Sequence, residues 1–573
     1  MELPLWEVAE ENEKLIHELQ ESDALTRPMA LVLASRGIAV DGVRAFLQPS
    51  LKDLVDPYAL PGVREAAARL WHAVASGEHI LIHGDYDTDG ITASVLLAWC
   101  LRQNGGRVEC FLPHRLDDGY GLTPESIEKA RRDNHTLLVT VDCGINSVDA
   151  IALARQQGLD VIVTDHHQPG TESPNANITI NPKLPGSPAA LVDLAGVGVA
   201  FKLCHGFIKY GRENGLGGQA TDLRRVLDLV ALGTVADIVP LLHENRCLVA
   251  HGLKVLSSQQ RPGIRALCEV SGLGDATTLR APDITFRLAP RLNAAGRLGD
   301  PVDAMRLLEA SGMHDAVPLA TILDEKNRDR QHLEEETLRD AEACITTAGD
   351  DLLTRRTIMV WGAAWPQGVI GIVASRLARR YHRPCIVLTV ESDGQWRGSA
   401  RSVRRLNLVA VMEQCRHRLI RFGGHPMAAG LSVADGELIG FRDAFEAAVC
   451  TVLGEDGLQP QLDICGRAQF ADFNDAFFTE LSLLEPIGHG NPDPLFLTTR
   501  VFPDKVFPAG KGHSRGVLCD SARNRLDFIY FNRIPSDLPR PPWDIVYTPQ
   551  INTYNGNRTP QIQLVDLRPS DPV

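Results

Sequence analysis

The sequence predicts an α/β protein of several domains that ends in a smaller all-β domain. In the first half of the chain, short apolar runs alternate with amphipathic segments, and the same alternation returns after residue 356. The C-terminal region instead contains short alternating runs between Pro- and Gly-rich turns. A chain of 573 residues is too long for one core, so we expect about three or four domains.

The N-terminal residues 1–50 are expected to form a helical segment, followed by a first α/β domain over residues 51–318. In that domain the apolar runs HILIHG, TLLVTVDCG, DVIVTDHH and ANITINP are separated by segments of helical character. Short buried strands with helical connections are typical of a parallel sheet. Open sheets of this kind bind ligands at the carboxyl ends of their strands.

A highly charged stretch without Gly or Pro, residues 319–348, predicts a long connecting helix. It leads into a smaller α/β domain over residues 349–457, with TIMVWG, RPCIVLTV and QWRGSARSV as strands and GVIGIVASRLARRY as a helix. Residues 458–573 are expected to form the all-β domain, a barrel or sandwich.

The net charge of −14 argues against a polyanionic substrate, but the charge is unevenly distributed. Residues 376–421 contain eleven arginines against three acids, and residues 500–533 contain seven bases against three acids. Each segment alone could be a solvated face. Two basic segments in an acidic chain favour a surface that binds a polyanion.

The chain has no apolar run long enough to span a bilayer, and its acidic N-terminus lacks the features of a signal peptide. We therefore expect a cytoplasmic protein that does not associate with membranes. We also expect it to be a monomer. The 12 cysteines include no CxxC pair, which argues against a disulfide framework or a zinc ribbon.

Carboxylates and imidazoles follow the predicted strands of the first domain. They are His83, Asp85, Asp87 and Asp89 after the first strand, Asp142 after the second, Asp165, His166 and His167 after the third, and Asp237 in a later apolar helix. Any one of these acids could be a turn former, but together they fall at one edge of one sheet. Mixed oxygen and imidazole ligands suit Mn²⁺ or Mg²⁺, and zinc less well. Their number suffices for two ions that share a bridging carboxylate and together hydrolyse a phosphodiester.

The ordered segments HGDYDTDG, VDCG, TDHH and GTVADIVPL resemble the DHH phosphoesterase superfamily. The segments RLNAAGR, WPQGVIGIVASRL, RGSARSV and GGHPMAAGL resemble the RecJ family within it. The resemblance covers nearly the whole chain. It implies a 5′→3′ single-stranded-DNA exonuclease of recombination and repair, with a DHH domain, a DHH-associated domain and a C-terminal OB-like barrel. It also implies single-strand-binding protein and a RecQ-type helicase as partners.

Carried over by motif position, the resemblance implies two metal ions. One would be held by His83, Asp87 and Asp142, the other by Asp89, Asp142, His166 and Asp237, with Asp142 bridging. Asp85 would be a supporting acid and His167 a contact to the scissile phosphate. The implied substrate-binding residues are Arg115, Asn293, Arg297, Ser399, Arg401 and His425.

The chain departs from the family pattern at Pro366, where relatives commonly have His after the Trp, so any role of that imidazole is lost or moved. Two alternatives stay open. One is a DHH phosphoesterase for short oligonucleotides or cyclic dinucleotides, which would not need the basic C-terminal module with Phe502, Phe507, Phe528, Tyr530 and Phe531. The other is a non-catalytic replication scaffold, in which we would expect metal ligands to be lost.

Overall fold

A computed structural model describes residues 3–114, 121–347, 355–390, 394–454, 458–554 and 557–571. The chain divides into two compact units. Unit 1 comprises Met1–Leu3, Val55–Asp237 and His251–Pro460, and unit 2 comprises Pro4–Leu54, Ile238–Ala250 and Gln461–Val573. Within the described ranges, no helix combines the length and the apolar character that a bilayer span needs.

The N-terminal segment contains a strand as well as the expected helices. Its elements are β1 Leu5–Val8, α1 Glu13–Asp23, α2 Arg27–Ser35 and α3 Val43–Leu47. β1 pairs in parallel with Gln461–Ile464, about 450 residues later in the chain. The helices bury Ile16, Leu19 and Met29 in the same core as C-terminal residues of unit 2. The strand was not predicted, because no local sequence pattern near residue 5 indicates a pairing partner so far away in the sequence.

The first α/β domain contains the predicted parallel sheet. Its elements are α4 Val63–Ser76, β2 His79–His83, α5 Thr88–Arg102, β3 Arg107–Phe111, α6 Pro124–Arg132, β4 Leu137–Val141, α7 Val148–Gln156, β5 Asp160–Thr164 and β6 Ile178–Ile180. The strands lie in the order β3-β2-β4-β5-β6, and every neighbouring pair is parallel. β2, β4 and β5 are therefore adjacent, and their carboxyl ends meet at one edge.

Helices complete the first domain and lead to the second. They are α8 Gly196–Glu213, α9 Leu227–Ala236, α10 His243–Ser257, α11 Pro262–Val270, α12 Ala281–Asp283, α13 Ala289–Leu298, α14 Val302–Glu309 and α15 Met313–Thr347. The long helix α15 begins six residues before the predicted start and contains Pro318. Burial of Ala316, Ala320 and Leu323 around that proline offsets the hydrogen bond that proline cannot make. Ala348, the predicted last residue of the helix, lies outside the described ranges.

The second α/β domain contains a mixed sheet. Its elements are β7 Ile358–Trp361, α16 Gln367–Tyr381, β8 Cys385–Val390, β9 Trp396–Arg401, α17 Leu408–Gln414, β10 Arg421–His425, β11 Ala428–Val433 and α18 Leu438–Leu453. The order is β10-β11-β9-β8-β7, with β7 and β8 parallel and the other pairs antiparallel. The predicted α/β class is confirmed, and the hairpin of β10 and β11 is an addition to it.

The C-terminal region forms the expected closed barrel. Its elements are β12 Gln461–Ile464, β13 Gly466–Arg467, α19 Asp475–Leu481, β14 Phe496–Ala509, β15 His513–Cys519, β16 Arg525–Tyr530, β17 Trp543–Tyr554 and β18 Asn557–Pro569. The order β14-β15-β16-β18-β17 closes through pairing of β17 with β14. This order is consistent with an OB fold, whose face and loops commonly bind oligonucleotides.

Candidate active site

The loop after β2 begins the candidate site. Asp87 caps α5, because its Oδ1 accepts hydrogen bonds from the backbone N–H groups of Asp89 (2.9 Å) and Gly90 (3.2 Å). A Cβ at Gly90 would lie 2.6 Å from the backbone nitrogen of Asp85, so only glycine fits there. The loop thus turns three carboxylates toward the same small volume.

Asp89 is held by the N-terminus of α8. Its Oδ2 accepts a hydrogen bond from Gly196 N (2.7 Å), and its Oδ1 accepts one from Val197 N (2.8 Å). Burial and the nearby Asp87 carboxylate nevertheless raise the pKa of Asp89 to about 7. A Cβ at Gly196 would come within 2.5 Å of Asp142 Oδ1, so this glycine lets α8 approach both acids.

Asp142 lies at the centre of the acids. It follows β4 with a left-handed φ of 62°, which directs its side chain away from the strand's regular alternation. Burial, followed by the charges of Asp89, Asp87 and Asp237, raises the pKa of Asp142 well above its usual value. Such mutual repulsion is relieved when a cation binds among the carboxylates.

Asp165 organises the loop after β5. Its Oδ1 accepts hydrogen bonds from His166 N (2.7 Å), His167 N (3.0 Å) and His167 Nδ1 (2.7 Å), and its Oδ2 accepts one from Ile145 N (2.9 Å). Burial opposes a charge on His167, but the hydrogen bond and the charge of Asp165, together with the charges of Asp85 and Asp87, outweigh it and raise the pKa of His167. Asp165 therefore orients His167 and favours its protonated form.

His166 directs its Nε2 into a set of carboxylate oxygens. That atom is 3.1 Å from Asp142 Oδ1, 3.5 Å from Asp237 Oδ2 and 3.9 Å from Asp89 Oδ2. It is buried and forms no hydrogen bond with any described residue. Burial, and then the neighbouring His167, lower the pKa of His166 to about 3, so the imidazole is neutral. A neutral buried imidazole nitrogen among carboxylate oxygens is a donor set for a divalent cation.

Within the described ranges, three groups of side chains could hold a metal ion. They are Asp85, Asp87 and Asp142; Asp89, His166 and Asp237; and Asp142, His166 and His167. The donor atoms of each group lie within 4.8 Å of one another. These residues therefore fit two divalent ions, with Asp142 in more than one group. His83 belongs to none of the three; its Nδ1 is 3.8 Å from Cys143 Sγ.

Two residues of α13 that are predicted to bind substrate form hydrogen bonds with protein groups. Asn293 Oδ1 accepts hydrogen bonds from Thr88 N and Thr88 Oγ1, both 2.8 Å, which fixes the start of α5 behind the acidic loop. Arg297 Nη1 donates to the carbonyl of Gly368 at 3.0 Å. Asn293 thus supports the acidic loop, and Arg297 joins α13 to the first turn of α16.

In the second domain, the predicted residues Ser399, Arg401 and His425 lie on β9 and β10, and His425 contacts the first domain. Arg401 donates from Nε to Ser375 Oγ (3.0 Å) and from Nη1 to Ser399 Oγ (2.9 Å), so the guanidinium lies beside the Ser399 hydroxyl. His425 stacks on His167, with ring centroids 5.7 Å apart. This ring contact connects β10 to the metal-binding groups. Arg115 lies outside the described residues.

Ser399 and Arg401 line an open trough of about 570 Å³ in the second domain. Arg397 and Arg421 line it as well, although neither was predicted as a site residue. A signal was available in the sequence: Arg397 lies two residues before Ser399, and Arg421 lies four residues before His425, so in strands each pair shares a face. Lys183 was also missed: its Nζ donates to the carbonyl of His166. Pro366, the departure from the family pattern, immediately precedes α16.

The barrel separates its aromatic residues into two groups. Phe528 and Tyr530 are buried in the core of unit 2, whereas Phe502, Phe507 and Phe531 are between 44% and 50% exposed. Only the exposed rings are available for stacking on bases.

Family models match three regions of the chain. Residues 79–234 match the DHH family, N-terminal domain; residues 354–451 match the DHHA1 domain; and residues 466–566 match the RecJ OB domain. The single-stranded-DNA-specific exonuclease RecJ of Dickeya dadantii is 37% identical over 566 residues, which cover 94% of this chain and 96% of that protein.

The chain belongs to the RecJ family. The RecJ of Bacillus subtilis is 34% identical over 573 residues, covering 99% of this chain and 71% of that protein. The crystal structure of Thermus thermophilus RecJ in complex with Mn²⁺ superposes with a TM-score of 0.83 at 30% identity, over 99% of this chain and 80% of that one. The Mg²⁺ complex of the same RecJ gives a TM-score of 0.77 at 29% identity. These complexes agree with the Mn²⁺ or Mg²⁺ that the donor set of this chain suits.

Proposed function

We propose that this protein is a single-stranded-DNA-specific exonuclease that degrades strands from the 5′ end and releases 5′-mononucleotides in recombination and repair. The observation that carries the proposal is the contact of His167 with His425, because it joins an acidic metal-binding cluster to an arginine-lined trough within unit 1. The first feature suits phosphodiester hydrolysis, and the second suits capture of a phosphorylated end.

The acidic cluster is assigned to hydrolysis of the scissile phosphodiester. Two bound divalent ions would supply an activated water and stabilise charge on the phosphate. Asp142 is the carboxylate placed to be shared between the two sites, with Asp87 on one side and His166 on the other. His83 and Asp85 stay in the proposal as a ligand and a supporting acid. His167, held at Nδ1 by Asp165, would contact the phosphate through Nε2 and carry the proton there.

The trough is assigned to the terminal 5′-phosphate. Ser399 and Arg401 present a hydroxyl and a guanidinium side by side, which suits the oxygens of a phosphate monoester. A strand held there by its end would place its next phosphate at the metal cluster. Water then attacks that phosphorus, the P–O3′ bond breaks, and the remaining strand begins with a new 5′-phosphate. The polarity follows from this separation of two phosphate subsites.

The exposed rings of the barrel support a single strand as the substrate. Phe502, Phe507 and Phe531 offer flat faces for unpaired bases, and the surrounding segment is basic. A phosphoesterase for dinucleotides would not require this module, and a non-catalytic scaffold would not require the intact acidic cluster. Single-strand-binding protein and a RecQ-type helicase belong to the same proposal, as the partners that would supply an unwound strand in the cytoplasm.

A timed digestion tests the proposal. One long 5′-phosphorylated strand, labelled at either its 5′ or its 3′ end, is incubated with Mn²⁺, Mg²⁺ or a chelator, beside its duplex and a dinucleotide. We expect the 5′ label to be released first as a mononucleotide, with little cleavage of the duplex and none in chelator. Release of the 3′ label first would contradict the polarity. Faster turnover of the dinucleotide than of the long strand would favour the short-oligonucleotide alternative.

A further inference from the structure

The trough in the second domain is one face of the sheet formed by β9, β10 and β11. Strand register places facing residues in three rows across this face. The rows are Arg401, Ala428 and His425; Ser399, Gly430 and Gly423; and Arg397, Ser432 and Arg421. The first row is nearest the metal cluster, because its His425 stacks on His167. The third row is therefore the far end of the trough.

The far row carries two guanidinium groups around one hydroxyl. Arg397 Nη1 donates to Ser432 Oγ at 2.8 Å, and Arg421 Nε donates to the same oxygen at 3.3 Å. Among the described residues that line the trough, none is acidic. Three arginines thus give the trough a positive potential along its length, beyond the Ser399 and Arg401 subsite.

The floor of the trough is open at the middle row. A Cβ added at Gly423 or Gly430 would meet no atom within 4 Å, so no neighbouring atom crowds the floor of the trough at the middle row. Along a strand, residues two apart are about 6.6–6.8 Å apart. A group attached beyond a phosphate at Ser399 would therefore extend toward Arg397 and Arg421.

We propose that Arg397 and Arg421 form a second phosphate subsite, which holds the outer phosphates of a strand that begins with a 5′-triphosphate. This inference rests on the proposed function, since it takes the Ser399 and Arg401 subsite as the position of the innermost phosphate. Paired guanidinium groups suit the two further phosphates, which carry more charge than a single terminal monoester.

The first cleavage of such a strand is an ordinary hydrolysis. The oxygen of water bonds to the phosphorus between nucleotides 1 and 2, and the P–O3′ bond breaks. The departing 3′ oxygen takes a proton, so the first product is a nucleoside 5′-triphosphate. The remaining strand carries a 5′-monophosphate, and later cycles no longer use the second subsite.

The test compares the first cleavage of three strands of identical sequence that begin with a 5′-triphosphate, a 5′-monophosphate or a 5′-hydroxyl. The full-length wild type is compared with the double variant Arg397→Gln/Arg421→Gln in Mn²⁺. Arg380→Gln/Arg418→Gln is the matched control: it removes the same charge at two arginines that pair with Glu342 and Glu437, outside the trough. The readout is the triphosphate-to-monophosphate ratio of kcat/KM, together with the chemical identity of the first product.

We expect the wild type to cleave the triphosphate strand within about threefold of the monophosphate strand and to release a nucleoside triphosphate. The ratio should fall by about 10- to 100-fold in the Arg397/Arg421 variant and stay constant in the control. Inorganic triphosphate should also compete with the monophosphate strand in the wild type and at least tenfold more weakly in the variant, a binding readout that is independent of the triphosphate strand.

Three outcomes would overturn the inference. They are failure of the wild type to cleave the triphosphate strand although it cleaves the monophosphate strand, a ratio that the variant leaves unchanged, and a dinucleotide as the first product. The last outcome would show that the far row binds the phosphate of a further nucleotide instead. If the wild type fails on the monophosphate strand as well, the proposed function is at fault, so the two failures are distinguishable.

Discussion

The two α/β domains of unit 1 carry opposite net charge and place their candidate site residues on different parts of the fold. The first domain places buried acids and imidazoles in loops after adjacent parallel strands, around Asp142. The second presents arginines and a serine from within strands, on an accessible sheet face with a glycine floor. Loops can hold many ligands around a small ion, whereas a sheet face offers regularly spaced donors for an extended polyanion. In the proposed function, one fold class thus supports chemistry in one domain and recognition of the strand end in the other.

The largest effect should come from Asp142→Asn in the first domain. Asn accepts the left-handed backbone of Asp142 and keeps its size, but it removes the charge that two of the three metal-binding groups use. We expect nuclease activity to fall by roughly 10³-fold or more at saturating Mn²⁺. Asp149→Asn, an equal charge change on the exposed start of α7, is the control and should retain wild-type activity. If the Asp142 variant kept more than about a tenth of the wild-type rate, the proposal that both metal ions share this carboxylate would be wrong.

A smaller effect, dependent on the substrate end, is expected in the second domain. Arg401→Gln loses a charge-assisted contact to the terminal phosphate of about 1.5–3 kcal/mol, or about 10- to 150-fold in kcat/KM. Strands with a 5′-hydroxyl should lose much less, because they lack that phosphate. Arg380→Gln controls for the overall charge. Equal losses on both strands would mean that Arg401 contributes only to packing or general charge, and the two domains would then not divide the work as proposed.

Asn293→Ala tests whether the acidic loop after β2 depends on the hydrogen bonds between Asn293 and Thr88. Loss of the acceptor for Thr88 N and Thr88 Oγ1 should displace the start of α5 and its acids, lowering kcat by about tenfold with little change in KM. Asn293→Asp keeps an acceptor at the same position and should recover most of the rate. If instead KM rises and Asp does not rescue, Asn293 contacts the strand, as the family resemblance implied.

The smallest effect concerns stability of the metal-free protein. The pKa of Asp89 is raised to about 7, above its unfolded value near 3.9. The folded state therefore binds more protons between these values, and stability falls as pH rises toward 7. Chelated protein should lose a few degrees of Tm between pH 5 and pH 7.5, and the gain in Tm on adding Mn²⁺ should grow over that range. Asp142→Asn should flatten both trends, while Arg401→Gln should leave them unaltered.

Much of the first domain could be predicted because its signals are local. Apolar runs mark buried strands, and in a parallel sheet the residue after each strand must lie at one edge, which brings Asp87, Asp142 and His166 together without knowledge of coordinates. Asp237 was predicted from a different local signal, as an acid in an apolar helical segment. The role of Asp165 could not be separated from that of its neighbours, because hydrogen-bond partners are set by packing.

Only the tertiary structure showed the features that depend on strand register or on residues distant in the sequence. Arg397 and Arg421 meet only because β9 and β10 pair with β11 at one register, and Ser399 faces Gly430 for the same reason. Phe528 is buried and Phe507 exposed although both lie in alternating strands, because barrel closure selects one face as core. β1 acquires its partner only when residues 461–464 reach it. The sequence by itself determined which chemical groups follow the strands, because the geometry of a parallel sheet places those residues at one edge. Long-range strand pairing determined which residues share a sheet face and which are buried in a core.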